Sequence, residues 1–278
     1  MLALQILAAW CVGIGTACAP ADIKVESDTV QTYPAHGLTR MLIDNLDGSI
    51  DVTGTDGDVV EVRMHRTVTA ESPDRIREAG EDVRVSTVRE RDRLELVVLA
   101  PWREKRWEED RDFYGYKVTV DFTIRVPRSA KVFLKTVNGG DITVRDVDGD
   151  FELENVNGAI AAERMHGSGS ARTVNGDVKM SFDAVPASRS MFGTVNGCVE
   201  VAFPDQLAAT ANFRTMNGQV FTDFKYVPLD PGGVEREVVG MRKVYRSDHG
   251  TSVQIGTGGP TLAFRTLNGD IRIVRHQQ

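Results

Sequence analysis

Cysteine is scarce in this chain: three residues in 278, at positions 11, 18 and 198. Cys11 and Cys18 lie in an uncharged opening stretch, so the body of the chain holds Cys198 alone. That excludes an internal disulfide there and leaves packing to hold the fold. Cys198 follows an Asn-Gly pair where related segments have Ala159, Asp177, Gln219 and Asp270. It therefore reads as an ordinary small residue and not as a nucleophile. A dominant charge is also lacking, since 33 basic residues are interspersed with 40 acidic ones for a net charge of −7. Such a surface has no general attraction to nucleic acid or anionic lipid, and nucleic acid is not an expected partner. The five histidines, at 36, 65, 166, 249 and 276, show no H-E-x-x-H spacing, and the chain has neither G-x-S-x-G nor a P-loop. Neither catalytic residues nor a cofactor are expected, and the chain reads as a non-enzyme.

Long apolar runs are missing after the first 21 residues, "MLALQILAAWCVGIGTACAPA". This stretch reads as the apolar part of a secretory signal with cleavage after Ala21, because Ala19-Pro20-Ala21 places small residues where signal peptidase needs them. The customary basic start is absent, which fits a start site further upstream. Cys18 in "GTAC" gives a lipid anchor as the alternative attachment, and the run is short for a membrane span. An exported protein is expected, periplasmic, on the cell surface or secreted.

What the chain has in quantity is glycine, 26 residues, and a returning phrase. T-x-N-G begins at Thr136, Thr173, Thr194, Thr215 and Thr266, with "NVNG" at Asn155 as a near copy. The corners are Asn138-Gly139, Asn157-Gly158, Asn175-Gly176, Asn196-Gly197, Asn217-Gly218 and Asn268-Gly269. Two residues before each Thr (or Asn155) stand Leu134, Leu153, Ala171, Phe192, Phe213 and Phe264. Two after the glycine stand Ile160, Val178, Val199, Val220 and Ile271, and an extra Gly140 delays Ile142 in the first copy, as a bulge would. The flanks alternate with period two, which marks strands with one buried face. Asn-Gly supplies residues that accept a sharp corner cheaply.

Asn138, Asn157, Asn175, Asn196 and Asn217 follow one another at 19, 18, 21 and 21 residues. Gly149 and Gly167 fall near the midpoints as second corners. Two short strands and two corners per coil, stacked about 4.8 Å on the next, account for this period, because neighbouring coils bury what one cannot. An antiparallel meander with type I′ turns suits the local chemistry equally well. It does not require identical residues around every second turn, so stacking is the expectation, with asparagine side chains bonded along a column.

These units, with "NLDGSIDV" at 45–52 and "GTGGPTLAFRTLNGDIRIV" at 256–274, resemble a bacterial group of β-strand-repeat proteins of unknown function, the adhesin-like Toastrack family. The resemblance covers nearly all the chain beyond residue 21. It implies a mainly β, right-handed solenoid-like domain, exported or membrane-tethered, with no established enzymatic activity.

Residues 22–278 are expected to form one domain: an irregular first half (22–130), repeats at 131–224 and 259–275, and an insertion at 225–258. "SPDRIREAGEDV" from Ser72 is a helix start, with Ser as N-cap and Pro73 in the first turn. Two surface features are candidates for binding. One is the segment 101–116, where Trp102, Trp107 and Tyr114 stand among charges and could stack on a sugar ring, unless they pack back on the domain. The other is the residue before each Thr or Asn155: Lys135, Glu154, Arg172, Gly193, Arg214 and Arg265. In-register stacking would put its four cations in one outward column, along which an anionic envelope polymer could lie. Asp and Asn at corners raise calcium, but G-G-x-G-x-D is absent and the corner Asx residues read as structural, so no metal is expected. The expected role is a non-enzymatic adhesin-like or scaffold module of the envelope, with a glycan or protein partner. A sensory domain of an envelope-stress system and a glycan-active enzyme are the alternatives.

Overall fold

In the computed structural model the described residues are 22–104, 114–229, 235–239, 242–246 and 251–276. The first 21 residues, with the expected signal segment and Cys18, and Trp107 lie outside them. The first half holds β1 (Ile23–Pro34), β2 (Arg40–Asp44), β3 (Ile50–Thr55), β4 (Val59–Ala70), α1 (Pro73–Asp82), β5 (Arg84–Arg89), β6 (Arg93–Leu99), the short α2 (Pro101–Glu104) and β7 (Tyr116–Pro127). The repeats hold β8 (Lys131–Thr136), β9 (Ile142–Arg145), β10 (Phe151–Asn155), β11 (Ile160–Met165), β12 (Gly169–Arg172), β13 (Val178–Phe182), β14 (Ser190–Gly193), β15 (Val199–Phe203), β16 (Ala209–Arg214) and β17 (Val220–Thr222). Then follow β18 (Tyr226–Pro228), β19 (Glu235–Val239), β20 (Arg242–Arg246), β21 (Thr251–Ile255), β22 (Thr261–Arg265) and β23 (Ile271–Arg275).

The chain is mainly β, in two open sheets. The first sheet runs β1-β4-β7-β3-β9-β11-β13-β15-β23-β17-β20-β19, and the second runs β18-β21-β16-β22-β14-β12-β10-β8-β2-β6-β5. Each repeat contributes one strand to each sheet, and neighbouring repeat strands pair in parallel. The alternating residues then form continuous inward columns. Leu134, Leu153, Ala171, Phe192, Phe264 and Phe213 are successive neighbours in the second sheet. Ile142, Ile160, Val178, Val199, Ile271 and Val220 are their counterparts in the first. All twelve are buried. Phe182 stacks on Phe203 at 5.2 Å and Phe192 packs on Phe264 at 5.3 Å. Burying such a side chain contributes roughly 1.5–3 kcal/mol.

Each letter of the repeated phrase has its own bond. The threonine hydroxyl donates to the glycine carbonyl one corner away: Thr173 to Gly158 at 2.8 Å, Thr194 to Gly176 at 2.8 Å, Thr266 to Gly197 at 3.0 Å. Asn155 does the same with its amide, bonding Gly140 O at 3.0 Å. The asparagine side chains form a ladder in which each Nδ2 donates to the Oδ1 before it. The steps are Asn157 to Asn138 (2.7 Å), Asn175 to Asn157 (2.8 Å), Asn196 to Asn175 (2.8 Å), Asn268 to Asn196 (2.7 Å) and Asn217 to Asn268 (2.7 Å). Glycine is required where corners touch: a Cβ on Gly176, at φ +156°, would lie 2.3 Å from the Gly158 carbonyl oxygen. The corner aspartates accept backbone N–H groups of the neighbouring corner, Asp141 from Ala159 and Asp177 from Cys198.

Corner order in space departs from chain order. The last repeat, β22 and β23, sits between β14/β15 and β16/β17. The insertion at 225–258 is no plain loop: β21 and β20 pair antiparallel with β16 and β17 of the outermost repeat, and β18 and β19 pair in turn with β21 and β20. The expected helix is α1, with the Ser72 hydroxyl accepting from Arg75 N at 3.4 Å. It packs on β4, β7 and β1. A second short helix, α2, was not expected from the sequence.

Candidate functional site

The residue before each Thr or Asn155 faces outward from the second sheet. Register places Lys135, Glu154, Arg172, Gly193, Arg265 and Arg214 side by side in that order. The four cations predicted to share a column are thus neighbours or near neighbours, with Arg265 rather than Arg214 following Gly193. All four are exposed. Among the described residues none of them makes an ion pair or a side-chain hydrogen bond. At Gly193 the column dips: a Cβ there would meet only Arg265, whose carbonyl oxygen lies at 3.2 Å. Arg172 and Arg265 flank that dip about 10 Å apart, two strand spacings.

Beside Arg172 a shallow recess of about 470 Å³ is lined by Arg189 and by Ser168, Ser170, Ser188 and Ser190, and also by Asp150, which pairs with Lys131, and by Glu152. Arg189 is exposed and, among the described residues, is also unpaired. Sequence reading missed it, because it lies at the second, less regular corner of the repeat, in "PASRS". A guanidinium with hydroxyls nearby can bind a carboxylate or sulfate through charge-assisted hydrogen bonds.

On the repeat strands of the first sheet the cations are engaged. Arg145 meets Asp51 at 2.9 Å, Lys179 meets Glu200 at 3.7 Å, Arg272 meets Asp270 at 3.3 Å and Arg275 meets Asp205 at 3.2 Å. Asp146 is held by Arg164 at 2.7 Å and Arg128 at 3.2 Å. The hydrogen bond from Arg164, assisted by Arg128, lowers the Asp146 pKa to about 2. Asp146 and Arg164 both adopt positive φ, at 59° and 53°, so the pair also joins two backbone bends.

The aromatic candidates face the other way. Trp102, Tyr114 and Tyr116 form a ring cluster with centroids 5.2, 5.8 and 6.1 Å apart, and the half-buried Trp102 and Tyr114 pack against the core. The Tyr116 hydroxyl donates to Asp82 at 2.5 Å; burial and that partner raise its pKa. The two described aromatics therefore support the fold instead of forming an open stacking surface, for an apolar ring gains more against the core than in water. No cluster of groups suited to a metal occurs among the described residues. None of the described helices is long and apolar enough to cross a membrane.

No family model matches the chain, and no curated protein matches it. Solved structures are similar to it at low identity. A "putative cell adhesion protein" from Clostridium sporogenes ATCC 15579 aligns at 10% identity with TM-score 0.46, covering 91% of this chain and 100% of that one. A "putative adhesin" from Bacteroides fragilis NCTC 9343 aligns at 12% identity with TM-score 0.37, covering 90% and 97%. Another adhesin so named, from Parabacteroides distasonis ATCC 8503, aligns at 10% identity with TM-score 0.25, covering 90% and 97%. These neighbours carry the adhesin name that the repeat units pointed to; their names describe those proteins.

Proposed function

We propose that this chain is a non-enzymatic, adhesin-like module of a bacterial envelope, a right-handed solenoid-like stack whose second sheet binds a linear anionic polymer. One observation carries the reading: Lys135, Arg172, Arg265 and Arg214 share a column without partners among the described residues, while the cations on the repeat strands of the first sheet meet carboxylates. A cation held in an ion pair has already spent much of its field on its neighbour, whereas an unpaired one attracts diffusing anions. Rigid strands fix the spacing, so a repeating polymer meets several charges at once and gains avidity without a deep pocket. The partner class is an envelope glycan bearing carboxylate or sulfate groups. Export rests on the uncharged first 21 residues.

The test is a binding assay of the purified chain on acidic and neutral polysaccharides, with an Arg172→Ala/Arg214→Ala variant alongside. Saturable binding to acidic polymers, weakened by salt and lost in the variant, is expected. Equal binding to neutral polymers, or full binding by the variant, would remove the column from the site.

A further inference from the structure

All six Asn-Gly pairs share the sequence that most readily cyclises, since no side chain on glycine obstructs attack by its nitrogen. In that reaction the glycine nitrogen bonds to the asparagine Cγ, the Cγ–Nδ2 bond breaks, and ammonia leaves with the nitrogen's proton. Water then opens the succinimide at either carbonyl, leaving aspartate or isoaspartate. Sequence makes the six copies equivalent, but the ladder does not.

At four corners the nucleophile is already engaged. Gly158 N donates to Asn175 O at 2.9 Å, Gly176 N to Asn196 O at 3.0 Å, Gly197 N to Asn268 O at 2.9 Å and Gly269 N to Asn217 O at 2.9 Å. The Oδ1 atoms of those asparagines each accept from the next Nδ2 in the column. Cyclisation there must first open the backbone bond and the side-chain bonds on both sides. Asn217 is the last step of the ladder. Among the described residues its Oδ1 receives no bond and Gly218 N has no acceptor, so the single amide tether is Asn217 Nδ2 to Asn268 Oδ1, at 2.7 Å. Asn217 and Gly218 are both exposed, and Met216 beside them is 73% exposed. At the opposite end Gly139 N likewise has no acceptor among the described residues, but Asn138 is half-buried and its Oδ1 accepts from Asn157.

We infer that Asn217 is a site of spontaneous modification, converting through a succinimide to aspartate or isoaspartate while the interior copies are protected by the stack. The product cannot donate to Asn268, and it places a carboxylate three residues from Arg214. The end of the ladder is thereby loosened, and the modification marks the age of the molecule at one end of the column.

The experiment is incubation of the native chain in warm, mildly alkaline buffer, followed by digestion and mass spectrometry of each Asn-Gly peptide. A denatured sample runs in parallel. Two hydrogen bonds fewer must open at position 217, so conversion there should run about tenfold faster than at Asn175 or Asn196. In denaturant the six rates should converge. A native rate at Asn217 no greater than at Asn175 overturns the inference, and so does a preference that persists in denaturant. An Asn217→Gln variant, whose longer side chain disfavours the five-membered ring, should lose the early acidic species; its persistence would place the reaction elsewhere.

Discussion

The two outer faces of this molecule share a backbone repeat and a set of corners, and they differ in what their cations touch. On the first sheet Arg145, Arg164, Lys179, Arg272 and Arg275 each reach a carboxylate. On the second sheet Lys131 pairs with Asp150 at 2.7 Å, but the column nearer the Asn-Gly corners stays unpaired among the described residues. The difference teaches that charge count says little about a binding surface. Exposed ion pairs are worth little to stability, typically under 1 kcal/mol, yet they decide which face keeps a field available for a ligand.

The largest effect that could break the comparison is at the corner both faces depend on. Gly176→Val inserts side-chain atoms where even a Cβ would stand 2.3 Å from Gly158 O. We expect a loss on the order of 3 kcal/mol or more and loss of both surfaces together, read by thermal melting. A variant melting with the wild type would mean that the stacked corners do not support the faces.

Next comes the paired face alone. Asp146→Asn keeps a residue that tolerates positive φ but removes the charge joining Arg164 and Arg128, for an expected cost of about 1 kcal/mol near neutral pH. The folded carboxyl titrates at about 2, below its unfolded value near 3.9. Its stabilisation is therefore complete above the unfolded value and is lost as pH falls through the folded one. Denaturant midpoints of wild type and variant should converge on acidification, while polymer binding at neutral pH is unchanged. A gap that persists at the lowest pH would assign the loss to the backbone bend instead of the charge.

The smallest effect on stability is expected on the other face. Arg172→Ala/Arg214→Ala should change the unfolding free energy, read from denaturant melts, by less than about 0.5 kcal/mol, because neither guanidinium has a described partner to lose. Its binding defect then stands apart from folding. A large destabilisation would reveal partners these arginines are not assigned and would erase the contrast between the faces.

Much of the local architecture was legible in the residues. Alternation picked out the inward columns from Leu134 to Phe264 and from Ile142 to Ile271, because one buried side per strand leaves a period-two trace. Ser72-Pro73 announced α1 because capping is written in adjacent residues. The column of Lys135, Arg172, Arg214 and Arg265 could be named in advance, since a shared phase in the repeat implies a shared face. Trp102 and Tyr114 could not be assigned, because a ring beside charges is written the same way whether it faces solvent or the core. Arg189 was missed for a related reason: it belongs to the less regular corner, where no repeated phrase marks a column.

Sequence by itself determined the repeat strands, the corners and the column of bonded asparagines, since all of these follow from side chains a few residues apart repeated at a near-constant period; the bond from each threonine to a glycine carbonyl came from the structure. The order of the repeats was decided by the tertiary structure, which seats the closing β22 and β23 between two earlier repeats, because parallel neighbours of like pattern are interchangeable until the 225–258 segment fixes their route. The tertiary structure also decided which cations are neutralised and which asparagine ends the ladder. Those outcomes depend on the residue one strand away, and that neighbour can lie 18 or 72 positions distant in the chain.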